Sequence, residues 1–432
     1  MKSLWQADVT LPNFPTLKND TQTDILIIGG GIAGLLTAYF LHQRGIPYLL
    51  VEKNRIGSGT TAGTTAKLTY QHGLIYHKLL AQFGLETARL YLRANQAAFQ
   101  KYTELCQSID CDYEEKDNYV YSLDQPKALE LELDALQKLG YPARFCPELP
   151  LPLKTTGAVC FPNQAQFHPL RFLAEITKRL HIYEHTFVRE MVGTTAITDF
   201  GKIEAEQVII TTHFPFLNKH GSYFLKLYQH RSYVLALEAA QNVQGMYVDA
   251  SKNGYSFRNY GNLLLLGGGA HRTGKPGGNW SELRAFARQN YPTATERYHW
   301  AAQDCMSLDD IPYIGPYSKR TPRLFTASGF NKWGMTGAML SAMLLSDMVL
   351  GINNDFAKAF SPSRSILTPQ LFLNGLESVS NLLSFSSKRC PHLGCALKWN
   401  SAEHSWDCPC HGSRFSETGH NLNNPANGDM KQ

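Results

Sequence analysis

The chain has 432 residues, 43% of them hydrophobic and 18% charged, enough for two or three domains with their own cores. Its 41 basic and 36 acidic residues leave a net charge of +5 without a run of five Lys or Arg, so the concentrated basic face of a nucleic-acid binder is missing. The start, Met1-Lys2-Ser3-Leu4-Trp5-Gln6, does not resemble a secretory leader, and no transmembrane segment is expected: Ile25–Leu41 is interrupted by glycines, and Ala338–Ile352 is short and carries Asp347.

In chain order, Asp24-Ile-Leu-Ile-Ile-Gly29 reads as a buried strand, Ile32–Gln43 as a helix stopped by Gly45, and Tyr48-Leu-Leu-Val-Glu52 as a second buried strand. Strand, helix and strand in so short a stretch form a βαβ unit and imply a parallel sheet. Leu85–Cys106 and Ala128–Leu139 have helical apolar spacing, Gly140 ending the second. Gln207–Thr211, Leu263–Gly267 and Leu324–Ala327 are strand candidates, and Gly337–Leu350 is a late helix. Phe360-Ser-Pro-Ser-Arg-Ser365 marks a composition break. Beyond it Phe372, Leu376, Val379 and Leu383 recur at helical spacing, which predicts a helix over Leu371–Leu383 that packs its apolar stripe back on the main body.

Gly29-Gly30-Gly31-Ile32-Ala33-Gly34 satisfies G-x-G-x-x-G between the first strand and its helix, the context in which the motif has meaning. Gly29 permits the tight turn, Gly31 admits a pyrophosphate to the backbone, and Gly34 lets helix and strand pack closely. The helix N-terminus then offers free N–H groups to phosphate. Glu52, ending the second strand, is placed to accept hydrogen bonds from ribose hydroxyls.

Four further blocks make the chain, from about residue 20 to residue 352, similar to the glycine/D-amino-acid oxidase family of FAD oxidoreductases. Gly57–Lys67, with Thr64 and Thr65, resembles the loop that wraps the FAD pyrophosphate, and Glu184–Val188 the segment whose valine backbone meets the adenine. Asp309–Gly315 and Gly329–Thr336, including Trp333, Gly334 and Thr336, resemble the C-terminal FAD-contacting segments. Two departures stand out. Thr211-Thr-His-Phe-Pro215 replaces a common Ala-Gly, and the phosphate loop is threonine-rich where many relatives carry Arg-Asn-Gly.

Nine cysteines are present. Cys106, Cys111, Cys146, Cys160 and Cys305 are scattered, which suits a reducing cytoplasm. The other four stand in Cys390-Pro-His392-Leu-Gly-Cys395 and Cys408-Pro-Cys410-His411-Gly-Ser413, and the two boxes resemble the Rieske signature. The resemblance implies that Cys390 and Cys408 ligate one iron of a 2Fe–2S cluster, that His392 and His411 ligate the other, and that Cys395 and Cys410 form a disulfide. Two Cys and two His could also bind zinc, but zinc needs no Pro-Cys-His-Gly-Ser box and leaves Cys395 and Cys410 without a role. Imidazole ligation raises the potential of such clusters to about −150 to +300 mV. Phe415 stands where high-potential members have a tyrosine, so a lower potential than theirs is expected.

The whole chain thus resembles bacterial FAD-dependent oxidoreductases that end in a Rieske domain. The fold class implied is α/β (α+β overall): a Rossmann-like FAD-binding domain (20–105, 150–215 and 300–355), a mixed-sheet substrate domain (106–149 and 216–299), a linker and helix (356–387), and a small all-β Rieske-type segment (388–432). Only Leu383–Arg389 separates helix from first box, so most of the β-base that usually carries the ligand loops is expected to be missing. The implied activity is oxidation of a small molecule such as an amine or amino acid, with electrons exchanged with an external partner. The alternative is an electron-transfer or redox-sensing protein without a small substrate. Arg231 and Arg258 are candidate carboxylate contacts, His72, His168 and His213 candidate acid–base groups, and Cys305 a candidate covalent anchor for the flavin.

Overall fold

A computed structural model describes residues 2–218 and 220–430. The βαβ unit forms as the glycine and β-branched pattern demands. Strand Thr21–Ile28 pairs in parallel with Tyr48–Val51 on one side and Lys202–Ile210 on the other, and Leu324–Ser328 extends the parallel run. Tyr313–Pro316, antiparallel, closes one edge and Ile182–Tyr183 the other. Helices Ile32–Gln43 and Gly334–Val349 are buried along most of their length, as their nearly unbroken apolar sequences require.

A second, nine-stranded mixed sheet lies beside the first. Its path runs Thr295–Ser307, Leu227–Glu238, Leu263–Arg272, Ser256–Tyr260, Met246–Asp249, Glu114–Ser122, Gly157–Gln166 and Lys67–Leu68. This membership departs from the expected division. Gly157–Gln166 and Thr295–Ser307, grouped above wholly or largely with the nucleotide domain, belong to the second sheet. Each is claimed by a distant antiparallel partner: Tyr119 pairs with Cys160, and Gln229 with Cys305. Such non-local register leaves no mark on a strand's own sequence.

The C-terminal segment is a four-stranded antiparallel sheet of three-residue strands, Lys398–Asn400, Ser405–Asp407, Arg414–Ser416 and Asn421–Asn423. The preceding helix, Pro369–Leu383, forms as expected but faces the other way. Phe372, Leu376, Val379 and Leu383 are 55–78% exposed, while Asn374 and Asn381 are buried. The polar side is the packed one because it has partners. Arg272 Nη1 donates to Asn374 Oδ1 (2.8 Å), Ala396 N to the Asn381 carbonyl (3.0 Å), and Lys275 pairs with Glu377 (2.8 Å). No helix among the described residues is long and apolar enough to cross a membrane.

Candidate active site and metal centre

The glycine turn and the first turn of helix Ile32–Gln43 open on a cavity of ≈ 430 Å³ between the two sheets. Gly34 is required by packing: a Cβ there would stand 2.0 Å from the Gly29 carbonyl oxygen. Both Glu52 oxygens already accept backbone hydrogen bonds, Oε2 from Gly30 N (2.7 Å) and Oε1 from Asn54 N (2.8 Å), and each oxygen keeps a lone pair for a ribose hydroxyl. Of the expected contacts, Gly29, Gly31, Glu52, Thr64, Thr65, Val188, Trp333 and Gly334 line the cavity. Gly34, Gly315 and Thr336 do not. They support its wall: Gly315 lies against Pro362, and Thr336 donates to the Thr69 carbonyl (2.7 Å). The long slot, with the glycine turn and helix N-terminus on its wall and a carboxylate at the end of the second strand, fits FAD.

His72 and His213 also line the slot, whereas His168 caps helix Pro169–Ile176 by accepting from Arg171 N (3.1 Å). His72 stacks on Trp333 at 5.1 Å between ring centroids. Its nitrogens meet Tyr91 Oη (2.7 Å) and the Thr69 carbonyl (2.9 Å), and burial pulls its pKa down to about 3, so the ring is neutral. Cys305 does not line the slot; its thiol lies in the core near Ser328 Oγ (3.5 Å), with its pKa pushed by burial up to about 12, which suits no flavin anchor.

Neither candidate arginine lines the slot. Arg231 is buried in a bidentate pair with Glu403, its Nε 2.9 Å from Oε1. Arg258, fully buried, donates to Gln166 Oε1 (2.6 Å) and lies over Trp5. The charged groups on the second-sheet side are instead Lys67, Lys252, Lys332, Asp249 and Asp304, which sequence spacing had not singled out for this role. Only their approach in space assembles them.

The two cysteine–histidine boxes form matching turns. Cys390 N donates to the Cys395 carbonyl (2.9 Å) and Gly394 N to that of Cys390 (2.9 Å); Cys408 N donates to the Ser413 carbonyl (2.8 Å) and Gly412 N to that of Cys408 (2.9 Å). The Cys395–Cys410 disulfide joins the turns. The Cys390 and Cys408 sulfurs are in hydrogen-bonding reach, so each thiol eases the first deprotonation of the pair, and together with burial opposes the second. The imidazoles of His392 and His411 stand 5.0 Å apart at 87°. Burial lowers their pKa values to about 4 and about 3, His411 being lowered further by His392 and Arg272, which leaves both rings neutral. Both Nδ1 atoms are buried without a partner. The opposite nitrogen of His392 meets Asn218 Oδ1 (2.8 Å), and His411 bonds the Phe224 backbone, which fixes both rings. Two sulfurs and two orphaned imidazole nitrogens fit the Rieske cluster.

The body of the protein holds the two Cys–His turns from outside. Gln229 Nε2 donates to the carbonyls of His411 (2.9 Å) and Asn424 (2.9 Å), and Gln303 Nε2 to that of Gly412 (2.7 Å). Arg272 holds the Pro409 and Cys410 carbonyls (3.1 Å each). A Cβ at Gly412 would lie 2.6 Å from Gln229 Cβ, so this loop can seat only with glycine there. Although burial pushes the Glu403 carboxyl up, Arg231 and Arg414 hold it below its usual value.

These features define a flavin-dependent oxidoreductase fused to a Rieske centre. The chain matches the DAO family, FAD dependent oxidoreductase, over residues 24–348 and the Rieske [2Fe-2S] domain over residues 376–432. It belongs to the DAO family of FAD-dependent oxidoreductases and ends in a Rieske domain, so FAD and a 2Fe–2S cluster are its cofactors. It is 34% identical over 494 residues to a putative Rieske 2Fe-2S iron-sulfur protein, YhfW, of Bacillus subtilis, covering 100% of this chain and 97% of that one. The cytochrome b6-f complex iron-sulfur subunit of Nostoc punctiforme is 54% identical over 37 residues, 9% of this chain and 21% of that one. Among solved structures, glycine oxidase from Geobacillus kaustophilus superposes with a TM-score of 0.66 at 22% identity, covering 80% of this chain and 99% of that one. L-proline dehydrogenase from P. horikoshii gives 0.66 at 16% identity, covering 81% and 98%. At these identities the structures show the shared fold.

Two outcomes are expected. Glu403→Ala leaves the buried Arg231 without a carboxylate and Arg414 with Asp407 alone, so the C-terminal segment is destabilised by about 3–5 kcal/mol; thermal unfolding combined with iron analysis should show cluster loss at lower temperature with flavin retained. Phe415 is buried against the cluster cysteines and offers no donor, so Phe415→Tyr should raise the midpoint potential in a spectroelectrochemical titration, the wild type lying below tyrosine-bearing Rieske centres.

Proposed function

We propose that this chain oxidises a small amine or amino acid and passes the electrons between its flavin and its Rieske cluster to an external electron-transfer partner. When bound, the flavin takes a hydride equivalent from a substrate C–H beside nitrogen, and the cluster handles single electrons. The observation that carries the reading is that slot and Rieske segment share walls: Leu422, Asn423, Asn424 and Asn427 of that segment line the slot, and two strands of the second sheet serve both. Successive residues of a strand face opposite sides. On Leu227–Glu238, Gln229 and Arg231 hold the Rieske segment while Ser232 and Val234 line the slot. On Thr295–Ser307, Gln303 holds Gly412 while Ala302 and Asp304 line the slot. Amino-acid oxidation is supported by the names of structural neighbours, which include glycine oxidase, L-proline dehydrogenase and L-amino acid deaminase. A cytoplasmic location is supported by the free thiols at Cys106, Cys111, Cys146, Cys160 and Cys305.

Lys67 is the group placed to hold a substrate carboxylate. Lys252 pairs with Asp310 (3.6 Å), Lys332 faces Asp304 and donates to the Lys252 carbonyl (3.0 Å), and Arg55 pairs with Glu184. Lys67 Nζ reaches only Thr65 Oγ1 (3.4 Å) among the described residues. Burial, then Arg258, brings its pKa down to about 7. A carboxylate needs the protonated amine, so kcat/KM for amino acids should fall as pH rises through about 7 in the free enzyme. Lys67→Met should raise KM at pH 6 and abolish that fall.

Anaerobic titration with a panel of amines and amino acids tests the function itself. Bleaching of the flavin by one of them is expected; bleaching only by a reduced protein carrier would favour an electron-transfer protein without a small substrate. Gln303→Leu should then slow electron transfer from reduced flavin to cluster in stopped-flow traces without changing flavin reduction by substrate.

A further inference from the structure

We propose that the outer face of helix Pro369–Leu383, with the loop that follows it, is a docking surface for an anionic lipid bilayer. The helix is amphipathic but inverted. Its buried side is polar, and its outward stripe, Phe372, Leu376, Val379 and Leu383, is continued by Phe385, which is 103% exposed, and by Leu393, which is 40% exposed. Stray exposed leucines need no explanation, whereas a contiguous apolar face marks an interaction site.

Rotation of the helix cannot hide this face. Asn374 and Glu377 are engaged by Arg272 and Lys275, and the Asn381 carbonyl by Ala396 N. Turning the stripe inward would leave Arg272, the buried Asn374 and the Ala396 N–H without these partners. Arg389 locks the end of the helix by donating to the carbonyls of Leu382 (2.9 Å) and Ser384 (2.8 Å).

The occupant follows from charge. Residues 361–400 contain Arg364, Lys388, Arg389 and Lys398 against the single carboxylate Glu377. Arg364 is paired with Asp309 and Glu377 with Lys275, so the charges left at the C-terminal end of the stripe are cations: Arg389, which holds the helix end, Lys388 beside it, and Lys398, whose neighbour Leu397 donates to the Lys388 carbonyl. Apolar side chains that insert, rimmed by cations that meet phosphate headgroups, are the chemistry of a helix lying in a membrane interface. A second copy of this chain would bring the same cations to face each other across the contact. Docking also turns Leu393, the neighbour of the cluster ligand His392, towards the lipid side.

The test uses the full holoprotein and two sets of vesicles, phosphatidylcholine alone and phosphatidylcholine with phosphatidylglycerol. Co-sedimentation with the anionic vesicles is expected, weakened by salt and much lower on phosphatidylcholine. The double variant Phe372→Ser/Phe385→Ser should lose it. Both side chains are exposed, so flavin and iron content, the thermal midpoint and flavin reduction should be unchanged. Failure of the wild type to bind anionic vesicles overturns the proposal. So does a concentration-dependent dimer, seen by light scattering, that the double variant abolishes while vesicles recruit neither protein. Because the readout is sedimentation, it is independent of whether the amine or amino-acid reading of the flavin site holds.

Discussion

Glu403 sits between two arginines in the interior, one from the flavin-bearing body and one from the Rieske segment. Its carboxylate accepts from Arg231 on strand Leu227–Glu238, from Arg414 (2.9 Å) and from Tyr233 Oη (3.0 Å). Burying three charges is expensive, and a hydrophobic replacement of similar volume is often as stable. What the pairing supplies is register. A bidentate guanidinium–carboxylate contact has one geometry, and it fixes the small sheet against the strand that also carries Gln229 and Ser232. The position of the cluster relative to the flavin slot depends on that contact.

The remainder of the cluster environment follows from the same seat. Four three-residue strands enclose too little apolar surface to brace two ligand loops. The loops are therefore held from outside, by glutamines and an arginine aimed at their carbonyls. Phe214 and Phe224 pack against His411, and burial keeps its imidazole neutral, as a metal ligand would need to be. The same arrangement uses the polar side of helix Pro369–Leu383 as packing surface and leaves its apolar side outward.

The flavin slot shows a related exchange of roles. The two arginines that a carboxylate substrate would favour are spent on structure, one on Glu403 and one among Gln166 and Trp5. Lys67, on the slot wall, has no carboxylate partner among the described residues, and its charge, unlike an arginine's, titrates near neutrality. Substrate recognition through it carries a pH dependence that an arginine site would lack.

Local chemistry made part of this protein readable from its sequence. The glycine turn, the strand-ending Glu52 and the paired Cys–His boxes are short-range patterns whose function requires those residues at those spacings, and the matched family regions are the stretches that contain them. Helical periodicity located Pro369–Leu383, but periodicity reports only that a stripe exists. Which side of it is covered was decided by Arg272, Lys275 and Ala396, which lie outside the helix in sequence. Likewise, nothing next to Arg231 indicates Glu403, 172 residues away, or that Gly157–Gln166 joins the second sheet. Tertiary structure settled these because each is a contact between distant segments, won by desolvation and by the need to satisfy buried polar groups, neither of which has a period in the sequence.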